Sequence, residues 1–210
     1  MDLTDVREKL RRKNQILFSR NSLCLQELLQ LMRQQKRRTL VLWALTGAQV
    51  PVEALRSRYP EDTRPQTALT LCWEWARGKI KMPIAKKALL QVHAMAKELS
   101  SPVDIALCHA IGQACGAVHV ETHAIGLAIY ELTAIVYQLG IQHCEQAVAD
   151  KISSYCSLLL RCAQEIEVHP GPWAKFLLED THPNREQLLL EKQSGLPKGN
   201  NMLPTEGGKS

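Results

Sequence analysis

Residues 101–139, SPVDIALCHAIGQACGAVHVETHAIGLAIYELTAIVYQL, carry the pattern that decides the fold of this chain. They read as two helices, 102–119 and 121–139, broken near Val120. Ser101 ahead of Pro102 is a natural N-cap, since its hydroxyl can accept from a first-turn amide, and Asp104 sets negative charge at the positive helix end. Small side chains recur at Ala106, Ala110, Gly112, Ala114, Gly116 and Ala117, then at Ala124, Gly126, Ala128 and Ala134. Such residues let helix backbones approach to the short end of the usual spacing of about 8–10 Å. No Lys or Arg occurs from 98 to 150. Helices so poor in charge all round belong at the centre of a helical assembly; partial burial in a homodimer is the competing reading.

Further helices flank this centre. Leu25, Leu28, Leu29 and Met32 keep the spacing of one helix face, with Asn21 or Ser22 as cap. A second helix is expected over 36–49, with Leu40, Trp43, Ala44 and Gly47 on one side. Pro51 opens a third, which Pro60 ends. Asp62 or Thr63 caps the next, where Pro65 is tolerated in the first turn because its missing N–H has no helical partner. That helix stops at Gly78, and Pro83 starts another running to about Ser100. A long helix over 142–166 ends before the Pro-Gly-Pro at 170–172, and 173–179 and 184–192 are short helical candidates. No segment alternates with period two for long enough to argue a strand. The expectation is an all-α, single-domain bundle of about eight helices with two small-residue-rich central ones. It comprises a charged, helical leader over 1–20, a helical domain over 21–192 and a flexible tail over 193–210.

Composition narrows the function classes. The chain has 210 residues and a formal net charge of +5, with 45% hydrophobic but only 5% aromatic residues, so its apolar mass suits packed helices. Residues 1–40 hold ten Lys/Arg against four Asp/Glu, while the remainder holds sixteen against seventeen. The basic character is therefore local, in the runs Arg7–Lys13 and Arg33–Arg38, and a solvated helix face is the simpler account of it than nucleic-acid binding. Seven cysteines without a CxxC pair read as reduced core thiols. The first twenty residues lack the apolar segment of a secretory signal. The longest uncharged run, Ile105–Val120, falls short of the ~18–20 apolar residues of a membrane span. A cytoplasmic protein without a membrane partner is expected.

Four short motifs occur in a telling order: Leu42-Trp43-Ala44; Tyr59-Pro60-Glu61-Asp62-Thr63-Arg64-Pro65; Trp75-Ala76-Arg77-Gly78; and Ala117-Val118-His119-Val120-Glu121-Thr122-His123-Ala124 with Gly126, Ala128 and Tyr130. Over roughly 36–140 the chain resembles the immunity proteins of bacterial toxin–immunity systems, the immunity-five-like family. Gln66, Thr67, Val118 and Glu131 depart from that pattern, which has a basic residue after Arg-Pro and alanine at the latter two positions. The resemblance implies a small helical bacterial protein that binds and neutralises a cognate toxin. It supplies no catalytic residues.

Candidate site residues fall into two groups. Asp62 and Arg64 lie in a charged interhelix turn, as a structural clamp or as partner contacts. Trp73 and Trp75 are about 200° apart around a helix, so one faces the core and the other can face a partner. His119 and His123 share a face at i, i+4 if the helix continues through Val120, with His109 one segment earlier. Two imidazoles fall short of the three or four ligands of a zinc site, and the H-E-x-x-H order is missing. The plainer reading buries both at the helix junction, bonded to carbonyls the break frees. Cys115 and His119 have the spacing of a nucleophile pair, but a thiol in so apolar a helix should be inert. The leading expectation is a non-enzymatic binding protein without cofactor or metal. The alternatives are a helical metalloprotein or enzyme using His109, His119 and His123, and a nucleic-acid-binding regulator using the basic N-terminus.

Overall fold

The central pair of helices forms as the small-residue pattern requires. In the computed structural model, which describes residues 1–168, 171–179 and 183–194, α7 (Pro102–Gly116) and α8 (Ala124–Leu139) form a helical hairpin. Its register runs antiparallel, since Gln113 meets Gly126 and His109 meets Tyr130. The alanines of the pattern are buried without exception: Ala106, Ala110, Ala114, Ala117, Ala124, Ala128 and Ala134. Ser101 accepts from the Asp104 amide at 3.3 Å, the cap expected of it.

Around this hairpin the described residues form eight more α-helices and no strand. These are α1 (Thr4–Arg11), α2 (Gln26–Arg33), α3 (Arg37–Gly47), α4 (Gln49–Arg58), α5 (Arg64–Ala76), α6 (Met82–Glu98), α9 (Glu145–Val168) and α10 (Arg185–Ser194). α7 touches α3, α4, α5, α6 and α8, while α8 also packs on α3 and α9. α3 is buried nearly all round, and its Trp43 indole N–H donates to the Tyr155 carbonyl of α9 at 3.0 Å. The protein is all-α, with small-residue helices at its centre. Leu3, Val6, Leu17 and Phe18 join the same core. The expected tail lies, from residue 195 onward, outside the described residues, as does Pro170.

Several boundaries differ from the sequence reading, for local reasons. α4 begins at Gln49, so Pro51 stands at its third position, where an N–H still has no helical acceptor. Ser22 does not cap α2: its hydroxyl accepts from the Ser19 amide at 3.0 Å and donates to Asp5 at 2.6 Å. Asn184 precedes α10 and does more than cap it. Its Oδ1 takes the Gln187 amide at 3.1 Å, and its Nδ2 donates to the carbonyls of Met32, Arg33 and Gln35, which end α2. Only Lys175–Leu177 of the 173–179 candidate is helical, as a 3-10 turn. The Ala174 amide docks it on the Ala76 carbonyl at 2.8 Å. Gly78 makes that approach possible: it turns the chain with φ +76°, and a Cβ there would stand 3.3 Å from the Ala174 Cα.

Candidate functional site

The break between α7 and α8 organises the site. α7 ends at Gly116, Val120 is extended, and Glu121–His123 form one 3-10 turn before α8. The helix therefore does not run through Val120, and His119 and His123 are not stacked one turn apart on it. Both residues are solvent-exposed, although the His123 ring is partly covered by Gly116 and Gln113. The carbonyls freed by the break are met by arginines from the basic N-terminal fifth, not by the histidines. Arg37 donates to Val118 O at 3.2 Å, His119 O at 2.8 Å and Phe176 O at 3.1 Å, and Arg20 donates to Thr122 O. Two buried carboxylates anchor these cations: Glu186 lies 2.7 Å from Arg20, and Glu121 lies 3.5 Å from Arg37 while accepting the Arg185 amide at 3.0 Å. A guanidinium offers several planar donors, which suits it to gathering carbonyls from separate segments.

Beside the break lies a cavity of about 270 Å³. α7 contributes Gly112, Cys115 and Gly116; α5 contributes Cys72 and Trp75; α6 contributes Met82, Ala85, Lys86, Leu89 and His93. Gln113, His119 and His123 complete the rim. Trp75 is buried and stacks on His119, with centroids 6.3 Å apart and planes inclined by 30°; Phe176 backs the indole at 5.7 Å. His123 Nδ1 is 2.8 Å from Gln113 Oε1, so an imidazole N–H there donates to the amide oxygen. Burial, with Lys97 adding to it, pushes the His93 imidazole below its ordinary pKa. Burial, then Arg20 and His119, does the same to His123.

The glycines of the central helices have a role that the spacing did not reveal. A Cβ on Gly112 would lie 2.7 Å from His93 Cε1, one on Gly116 3.3 Å from His123 Cγ, and one on Gly126 2.6 Å from Gln113 Cγ. The alanines bring the helices together, whereas these glycines make room for polar side chains against the helix backbone.

His109 stands apart from the other two histidines. It packs on Tyr130 at 5.2 Å and on His93 at 5.6 Å, and it lines a separate cavity of about 180 Å³ with Ile16 and Tyr137. Among the described residues no three His, Cys, Asp or Glu side chains converge as metal ligands. The Cys115 thiol is fully buried. Its hydrogen bond with Cys72, then burial, holds it well above its ordinary pKa, so it supplies no thiolate.

The charged turn is a clamp in its geometry. Arg64 Nε meets both Asp62 oxygens at 2.9 and 3.0 Å, and its two terminal nitrogens meet Glu98 at 2.9 and 2.6 Å, joining the start of α5 to the end of α6. Asp62 also takes the Arg64 amide at 3.1 Å. A second clamp joins Arg58 and Tyr59 to the buried Asp104 of α7. Trp73, half-buried, carries the Arg77 guanidinium 5.1 Å above its ring on the outer side of α5, opposite the face of Trp75. Sequence reasoning missed His93 and Lys86, which sit in an ordinary amphipathic helix. It also took Arg37 for part of a solvated face, because pairing to backbone carbonyls leaves no signal in residue type.

No curated protein and no solved structure matches the chain. A family description, Imm-5 like putative immunity protein, matches residues 30–158. That span holds α3 to α8, the break, the cavity and both clamps. The chain belongs to the Imm-5 like putative immunity protein family.

Proposed function

We propose that this chain is a non-enzymatic bacterial protein that neutralises a cognate protein toxin by binding it stoichiometrically. The observation that carries the reading is the family match over 30–158. The buried, high-pKa Cys115 supports a binding role over thiol chemistry. Seven free cysteines suit a reducing cytoplasm, and no helix among the described residues is long and apolar enough to cross a membrane.

The surface we assign to the toxin is the outer face of α5. Gln66, Thr70, Trp73 and Arg77 follow one another at helical spacing there, half-buried at Trp73 and exposed at the others. Trp and Arg are the residue types on which interface energy concentrates. The Asp62–Arg64–Glu98 clamp holds the N-terminal end of this face rigid, and Trp75 supports it from the core side. The test is growth of cells expressing the toxin encoded beside this chain. Co-expression of the chain restores growth, and Trp73→Ala abolishes the rescue although the variant remains folded at the growth temperature by circular dichroism. Failure of the unsubstituted chain to restore growth contradicts the proposal.

A further inference from the structure

We propose that the cavity between α5, α6 and α7 is a binding site for a small molecule with a planar apolar body and a carboxylate end. This goes beyond toxin binding and does not rest on it, since Trp73 and the cavity lie on opposite sides of α5.

Size comes first. A volume of about 270 Å³ lies just below the range of roughly 300–1,000 Å³ that drug-sized ligands take, which points to a metabolite-sized occupant. Shape comes from the aromatic pair Trp75–His119, planes inclined by 30°, and from the aliphatic side chains of Met82 and Leu89, which line the same cavity. A planar apolar body among these aromatic and aliphatic side chains is removed from water and can pack on the imidazole or indole rings.

Charge sets the polar end. Lys86 and the imidazoles of His93, His119 and His123 line the cavity, and among the described residues no carboxylate does. One lysine and three imidazoles able to present N–H groups thus share the lining of one small volume. Such a set favours an anion, because charge-assisted hydrogen bonds to a carboxylate are about twice as strong as neutral ones. The donors are also held in place. His93 and His123 pack against α7 where Gly112 and Gly116 leave room for them, and Gln113 fixes the His123 ring at 2.8 Å. Preorganisation of this kind removes ordering cost from binding.

The experiment is isothermal titration calorimetry of the full chain with phenylacetate and with its neutral counterpart phenylacetamide. The expected result is saturable binding of phenylacetate, with the amide at least about tenfold weaker. Lys86→Gln, at an exposed position that should not disturb folding, weakens phenylacetate about fivefold or more at unchanged melting temperature. His119→Ala removes the imidazole of the aromatic pair and weakens both probes. Trp73→Ala leaves binding intact. Absence of binding at millimolar phenylacetate, equal affinity for the amide, or full affinity in both cavity variants overturns the proposal.

Discussion

Removing Lys151 should expose how much of the core depends on one buried ion pair. Glu131 of α8 is almost wholly buried and lies 2.5 Å from Lys151 Nζ of α9, while Tyr155 donates its hydroxyl to the other carboxylate oxygen. Lys151 also sits 4.9 Å above the Tyr155 ring, and Tyr155 packs on Trp43 at 5.2 Å. This chain has thus placed a charge in its core and answered it from the neighbouring helix. Breaking a buried pair by removing one partner costs about 3–5 kcal/mol. Lys151 is 19% exposed, so water partly reaches the pair and the lower end applies, about 3 kcal/mol for Lys151→Met. At this chain length that is a fall of roughly 6–12 °C in melting temperature. Glu131→Gln keeps an acceptor for Tyr155 and leaves the lysine head room to reach water, so it costs about 1–2 kcal/mol. The double variant, with no charge left to compensate, should lie within about 1 kcal/mol of the parent. Urea unfolding followed by tryptophan fluorescence reads all four proteins, giving a coupling of about 3–5 kcal/mol. Additive single effects would refute the argument, because the pair would then contribute nothing as a pair.

Other outcomes follow from the same geometry. Asp62 and Glu98 are held below the ordinary carboxylate pKa chiefly by hydrogen bonds from Arg64. Their contribution to stability is present above the unfolded carboxylate value and is lost as pH falls through the lowered folded value; Arg64→Gln should flatten that acid limb in melting curves taken between about pH 2 and 5. Burial lowers His93, His109 and His123 below their ordinary value, so the folded state binds fewer protons than the unfolded one. Stability should therefore start to fall as pH drops below about 6.5, and proton NMR should find all three rings titrating below that value. Gly112→Ala, whose Cβ would meet His93 Cε1 at 2.7 Å, should displace that ring and change its NMR shifts while α7 stays helical by circular dichroism. In native protein an aromatic disulfide reagent should reach the half-buried Cys24 and Cys156 first and leave Cys115 unmodified, whereas all seven thiols react after unfolding. Rapid modification of Cys115 would contradict its placement.

The helices were legible because periodicity and caps are local. Ser101, Pro65, Gly78 and Pro83 mark real ends, and the alanines of α7 and α8 announce a close-packed centre. Most of what shapes the site was not legible, because it is made by segments far apart in sequence. Arg37 reads as one cation in a basic run, yet it spans three carbonyls from two distant segments. Asn184 reads only as the start of a short helix, yet it caps α10 and also closes the end of α2. The spacing of His119 and His123 assumed a continuous helix, and the extended Val120 removed that premise. Glycines and alanines look alike as small residues. Only the three-dimensional neighbours separate those that admit a helix from those that admit His93, His123 and Gln113.

Binding of a toxin through the outer face of α5, without catalysis, is the role proposed for this family member. Calorimetric titration of the purified chain into its cognate toxin tests it most directly. The expected result is a saturable complex with one chain per toxin, whose affinity falls by about tenfold or more in Trp73→Ala and in Arg77→Ala, both still folded at the assay temperature. No heat of binding, toxin inactivated by substoichiometric chain, or full affinity in both variants would contradict it.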